Sequence, residues 1–215
     1  MGGTAWRVDM TNRLLDSSIP CGEPKFRLPA GCFTVSEWKD RNIPPKDWVW
    51  GNVMSTTCRV MLYGATGIGK TQFVHALGYT IATGQNFLRW SIPEARKVLI
   101  VDGEMSEQDL QERITDMDIR QGLHSQADNL IIMSRETVEA AGGEFFPLNT
   151  PEGQKMIDDA TEAIKPDIVI LDNYMTLTSG DRMTDEGWQE ILPWILSFTW
   201  RKIGIIIIHH TGKNG

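Results

Sequence analysis

The chain has 215 residues, 41% hydrophobic and 23% charged, and a formal net charge of −7. That length supports one sizeable α/β core with a short appendage at most. It holds no run of about 18 apolar residues, and its start lacks a basic stretch followed by an apolar block, which predicts a soluble, unsecreted, cytoplasmic protein with no membrane partner. The three cysteines, Cys21, Cys32 and Cys58, form no C-x-x-C pair, which argues against a disulfide framework or a zinc site. Charge is uneven along the chain: residues 1–100 carry 12 Lys/Arg against 7 Asp/Glu, and residues 101–215 carry 9 against 21. An acidic balance argues against binding nucleic acid by bulk electrostatics and leaves local basic loops open.

Residues 1–47 are weakly periodic and hold Pro20, Pro24, Pro29, Pro44 and Pro45, which predicts an irregular N-terminal arm ahead of a core over 48–215. The first β-rich run, 58–63, leads into Gly64-Ala65-Thr66-Gly67-Ile68-Gly69-Lys70-Thr71, which satisfies G-x-x-x-x-G-K-[ST] in full. Glycines let such a loop curl so that backbone N–H groups and a helix N-terminus converge on a polyphosphate, with the lysine as a point charge and the hydroxyl as a Mg²⁺ ligand. A nucleoside triphosphate is the expected ligand. The helix that follows carries Phe73, Val74, Leu77 and Ile81 as a stripe and stops at Gly84.

Further apolar runs at 98–102, 129–133, 168–172 and 204–209 are nearly continuous rather than alternating, as in strands covered on both faces. Between them, Ser106 caps a helix bearing Leu110, Ile114 and Met117, and Thr150-Pro151 opens one bearing Met156, Ile157, Ala160 and Ile164. A last helix, about 186–201, presents Trp188, Ile191, Leu192 and Ile195, with Pro193 kinking it or marking a late start. Alternating β and α runs predict a parallel sheet with helices on both faces.

Ligands of such sheets lie beyond the carboxyl ends of the strands. The run 168–172 ends in Asp172, which suits a Mg²⁺ ligand, whereas Asp167 at its start reads as a boundary residue. The run 98–102 continues as Asp102-Gly103-Glu104-Met105, so two acids compete to polarise water. Glu104 is favoured because Gly103 turns it beyond the sheet edge, with Asp102 either supporting the site from behind or acting as a capping group; the alternative makes Glu104 an ordinary acid at a helix N-terminus. The run 204–209 leads to His209-His210. No third ligand at suitable spacing supports a metal site there, and a γ-phosphate sensor is the better reading, with only one of the two facing the nucleotide. His75, on the helix after the phosphate loop, reads as a packing or surface residue and His124 as part of a connector, while the eight tryptophans read as packing.

In order, GATGIGKT, VDGEM, IVILDN and IIIIHHTGK resemble the RecA-type ATPase core, within it the branch of the plasmid replication helicase RepA, over roughly residues 43–213. Trp48-Val49-Trp50 after Ile43-Pro44-Pro45 resembles that branch's lead-in segment. The resemblance implies ATP and Mg²⁺ as cofactors, nucleotide contacts from Gly64 through Thr71, and Mg²⁺ ligation by Thr71 and Asp172. It implies Glu104 as catalytic carboxylate, Lys70 on the phosphates, and His210 as the sensor beside a buried His209. Lys213 corresponds to a basic residue past the sensor that reaches a nucleotide at a subunit boundary, and Arg113 to a residue that stacks on the base. It further implies, for the five strands numbered in chain order, the sheet order 3-2-4-5-1, with 204–209 between 168–172 and 58–63. RecA-type cores continue past the position of Gly215 with a DNA-contacting loop and further strands, so the chain is expected to be a C-terminally incomplete core, a fragment or a degenerate form.

The leading functional expectation is a ring-forming helicase or translocase on single-stranded DNA, with Tyr174 and Arg182 in the loop 174–187 as the remaining DNA contact. The other is a RecA-like regulatory or scaffold ATPase acting on protein partners. A phosphotransferase would need an Arg-rich lid, and a GTPase an N-K-x-D motif; neither is present.

Overall fold

The computed structural model describes residues 28–121, 128–180 and 185–210. The chain divides into two compact units between Pro44 and Pro45. In the described part of the first unit, the arm is more ordered than its composition suggests. Helix α1 (Val35–Asp40) starts with a capping box in which the Thr34 hydroxyl accepts from Glu37 N and the Glu37 carboxylate accepts from Thr34 N. The Arg41 guanidinium lies 4.2 Å from the centroid of Phe33 and 4.8 Å from that of Trp38. Local capping and this cation–π cluster supply what the missing apolar stripe does not.

The second unit opens with a small antiparallel pair, β1 (Trp48–Trp50) and β2 (Met54–Ser55), that the sequence reading did not separate from the lead-in. Then come β3 (Arg59–Gly64), α2 (Lys70–Thr83), β4 (Val98–Asp102), α3 (Glu107–Gln121), β5 (Leu130–Ser134) and α4 (Arg135–Ala140). The chain continues through α5 (Pro151–Ile164), β6 (Ile168–Asp172), α6 (Tyr174–Leu177), α7 (Asp185–Trp200) and β7 (Gly204–His210). The five long strands form one parallel sheet in the order β3-β7-β6-β4-β5. Read from the other edge this is the expected 3-2-4-5-1, with β7 between β6 and β3.

Strand periodicity places two cores on the two faces of this sheet. Leu99, Val101, Val169, Leu171, Ile205 and Ile207 face Ile157 of α5 and Ile191, Trp194, Ile195 and Phe198 of α7. Their neighbours Val98, Ile100, Ile168, Ile170, Ile206 and Ile208 face Val74, Leu77 and Ile81 of α2 together with Val49, Trp50 and Met54. Burial on both sides is why these runs are continuous in apolar residues, and each such side chain contributes about 1.5–3 kcal/mol on burial. The helix ends follow the caps read from sequence: Asp109 N donates to Ser106 Oγ, Gly153 N donates to Thr150 Oγ1 with Pro151 at the first helical position, and Gly84 ends α2. Pro193 lies inside α7, which runs from Asp185 to Trp200 across it.

Candidate nucleotide-binding site

The carboxyl ends of β3, β4, β6 and β7 open onto a cleft of about 730 Å³ lined by Thr66, Gly67, Gly69, Lys70, Thr71, Asp102, Glu104, Arg113, Asp172 and His210, among others. The loop between β3 and α2 curls because Gly67 and Gly69 adopt φ of 84° and 91°. A side chain at either would meet no neighbour within 4 Å, so backbone conformation rather than space demands glycine there. Lys70, 5% exposed, folds back so that its Nζ donates to Gly64 O at 2.8 Å and Ala65 O at 2.7 Å. Burial lowers the Lys70 pKa, and the charges of Asp172 and Glu104 oppose that shift. An ammonium poised over the loop with only carbonyl dipoles as hydrogen-bond partners suits an incoming polyphosphate. Ile68 of the same loop is exposed, and Ala65 and Thr66 complete it.

Beneath the loop, Thr71 Oγ1 donates to Asp172 Oδ1 at 3.1 Å, although 101 residues separate them. A hydroxyl and a carboxylate oxygen this close are hard donors able to share one cation, so the residues present fit Mg²⁺ held by Thr71 and Asp172. The peptide from Asp172 to Asn173 is cis.

Glu104 stands at the opposite wall of the cleft. Its Oε2 accepts from Asn173 Nδ2 at 2.5 Å and lies 4.0 Å from His210 Nε2. Of the two roles expected for Asp102, the capping one is seen: its Oδ1 accepts from Glu104 N at 2.8 Å and Met105 N at 2.7 Å. Burial raises its pKa, with the two backbone donors opposing and the Asp172 charge adding to the rise. Of the histidine pair, His210 lines the cleft, while His209 meets Tyr174 edge-on at 5.5 Å. Burial lowers the His209 pKa, with His210 and Lys70 adding to it. Arg113 reaches the cleft wall from α3 among Asp109, Glu112 and Asp116, and its buried Nη1 has no hydrogen-bond partner. Lys213, Arg182 and His124 lie outside the described residues.

Two sequence-based expectations need correction. His75 is no surface residue and packs on more than apolar side chains. It is 1% exposed, with Nε2 3.1 Å from Asp172 Oδ2, short of hydrogen-bond alignment, and 4.0 Å from Asp102 Oδ2. The α2 stripe hid it, because a polar residue on a buried helical face announces its partners only when the sheet behind that face is known. Tyr174 cannot offer a stacking face to DNA in this arrangement. It is 2% exposed, within α6, and stacks on Trp188 with centroids 4.7 Å apart. Asn173, missed altogether, caps α6 through its side-chain oxygen and holds Glu104 through its amide. Its place directly after the β6 acid was the available signal.

An AAA domain family model (AAA_25) matches residues 22–215. The chain belongs to the AAA domain family. This AAA-family chain is a P-loop ATPase domain, and the family's general use of ATP and Mg²⁺ agrees with the donors described above. The family match reaches into the arm, beyond the region of the sequence resemblance. Among solved structures, the domain is similar to a KaiC-like protein from the hyperthermophilic archaeon Pyrococcus horikoshii. That match has a TM-score of 0.50 and 16% identity, and it covers 74% of this chain and 63% of the other. A likeness at that identity shows the fold, a RecA- and KaiC-like P-loop core. No curated protein matches the sequence. Among the described residues, no helix of the ATPase is long and apolar enough to cross a membrane.

Proposed function

We propose that this domain binds ATP with Mg²⁺ and hydrolyses it at the cleft between β3 and β4. The observation that carries the reading is the convergence of Lys70, Thr71, Asp172, Glu104 and His210 around one phosphate loop. Backbone N–H groups of residues 67–71 and the Lys70 ammonium hold the phosphates. Mg²⁺, when bound by Thr71 and Asp172, neutralises charge on the phosphate oxygens. Glu104 accepts a proton from the attacking water, held in orientation by the Asn173 amide, and His210 senses the γ-phosphate beside it. Arg113 stacks on the base at the α3 wall, and Lys213 completes a site at a subunit boundary of a homo-oligomeric ring.

In finer detail, the domain is a motor on single-stranded DNA of the RepA-like replicative kind, the reading supported by the ordered motif set. A second reading, a regulatory ATPase acting on protein partners, is favoured by one observation: the burial of Tyr174 against Trp188 removes an aromatic platform on which a base would stack. Steady-state ATP hydrolysis measured with and without single-stranded DNA separates the two. Stimulation by DNA supports the motor, and hydrolysis indifferent to DNA supports the regulatory reading. A protein that binds no ATP in the presence of Mg²⁺ refutes both.

A further inference from the structure

Three buried polar atoms meet behind the phosphate loop: His75 Nε2, Asp102 Oδ2 and Asp172 Oδ2. The three residues each place a ligand atom within 4.8 Å of the others', and none of the three named atoms has an aligned hydrogen-bond partner. Their residues are 1%, 1% and 2% exposed. The other oxygen of each acid is already engaged. Asp102 Oδ1 accepts from two backbone N–H groups, and Asp172 Oδ1 accepts from Thr71 Oγ1. Two buried carboxylates facing each other repel, and an unpaired one is costly. His75 is the group that stands between them, nearer to Asp172 at 3.1 Å than to Asp102 at 4.0 Å.

We propose that His75 is a positioning residue for Asp172: its Nε2 stands 3.1 Å from Oδ2, close enough that a small turn of the ring aims an N–H at that oxygen, so that Oδ1 is presented to Thr71 and to the cation carried by the nucleotide. The inference rests on the reading of Thr71 and Asp172 as the Mg²⁺ site and deepens it. A carboxylate free to rotate about its Cβ–Cγ bond would turn Oδ1 away from Thr71, and a single N–H on Oδ2 removes that freedom. The imidazole also lies close to Asp102, whose own orientation is fixed from the β4–α3 turn. Cation capture in the cluster itself is the weaker alternative. A cation there would have one ligand atom from each of three buried residues, fewer than the roughly six that a hard cation takes.

The test separates donor from bulk. His75→Met fills the space without an N–H; His75→Gln keeps one near the position of Nε2. ATP affinity is measured by calorimetry in EDTA and again across a Mg²⁺ titration, alongside the melting temperature. Loss of a group that orients a metal ligand typically weakens metal binding about 10- to 100-fold. His75→Met is therefore expected to raise the Mg²⁺ concentration needed by that factor while ATP affinity in EDTA stays unchanged, and His75→Gln is expected to restore the Mg²⁺ dependence. An unaltered Mg²⁺ dependence in folded His75→Met, or equal weakening with and without Mg²⁺, overturns the proposal. If His75→Met does not fold, the wild type decides by ¹⁵N-imidazole spectra. The proposal requires His75 protonated at Nε2 before and after MgADP is added, and a bare Nε2 overturns it. Stoichiometric metal retained by nucleotide-free wild type after EDTA dialysis would assign the cluster to a cation and overturn it as well. Wild type without Mg²⁺-dependent ATP binding would refute the nucleotide site itself, a failure distinct from any of these.

Discussion

Asn173 Nδ2 and Glu104 Oε2 lie 2.5 Å apart across 69 residues of sequence, and this contact joins the ends of β4 and β6 over the cleft. Glu104 is 58% exposed, so packing does not set its direction. The Asn173 amide does, and Asn173 is itself fully buried and fixed as the cap of α6. A hydrogen bond to a charged group contributes about 1.5–3 kcal/mol, and about 1.4 kcal/mol corresponds to a factor of ten in rate.

Asn173→Ala is accordingly expected to lower kcat by roughly 10- to 100-fold with ATP affinity preserved. Glu104→Gln removes the proton acceptor itself and is expected to cost about 10²–10⁴ in kcat, again with binding intact. Calorimetric ATP titration beside a steady-state hydrolysis assay checks both. Loss of ATP affinity equal to the loss of rate would show that Glu104 holds nucleotide rather than water.

Lys70→Ala acts on the other half of the cycle. It removes the ammonium from the phosphates and also two donated hydrogen bonds that tie the loop to itself, at Gly64 O and Ala65 O. ATP binding should weaken about 100-fold or more, given what charge-assisted hydrogen bonds contribute. Fluorescent nucleotide binding measures this directly. Binding retained at wild-type strength would mean that the loop backbone alone holds the phosphates.

Much of this arrangement was legible in the sequence because it is local or periodic. The phosphate loop, the acids closing β4 and β6, and the doubly buried strands each write a contiguous signature, while the strand order came only from the RecA-type resemblance those motifs carry. What the sequence hid is what depends on two distant segments meeting. His75 looked like a break in an apolar stripe until β4 and β6 brought Asp102 and Asp172 behind it. Tyr174 looked like a loop aromatic until Trp188 stacked on it. The order of the arm around α1 rests on one capping box and one cation–π cluster, which composition averages away.

Tyr79 gives a pH-dependent signature away from the cleft. It is fully buried on α2 and donates to the Asp118 carboxylate on α3. Burial first, then the Asp118 hydrogen bond and charge, push its pKa up to about 12 from an ordinary value of 10.0. A phenol with a raised folded-state pKa contributes stability that is complete below the unfolded value and is lost as pH rises through the folded one. The wild type is expected to lose stability between pH 10 and 12 relative to its own value at pH 9, and Tyr79→Phe to lack that component of the slope. Urea denaturation of both proteins at several pH values checks this. Parallel alkaline slopes would mean that the phenol is solvated enough to ionise normally.

Gly153 tests the packing of α5, which covers one face of the sheet through Ile157. In an open helix, glycine to alanine stabilises by roughly 1 kcal/mol, since alanine has the better helix propensity. Here the sign should reverse. Gly153 is the third helical residue, and a Cβ on it would lie 2.0 Å from Pro147 O and 2.9 Å from Phe146 O. That carbonyl of Pro147 cannot retreat cheaply, because it already accepts from Thr150 N at 3.0 Å and from Thr150 Oγ1 at 2.7 Å. Gly153→Ala must therefore displace the whole cap of α5, and overpacking of this kind costs about 1–3 kcal/mol or more. For a domain of this size that lowers Tm by roughly 2–12 °C. Glu162→Ala, at an exposed position on the same helix, should stay within about 0.5 kcal/mol of wild type. Thermal denaturation of the two variants decides the matter: a Gly153→Ala protein as stable as Glu162→Ala would show that the Phe146–Pro147 turn yields, and that α5 is not seated on it as closely as the geometry requires.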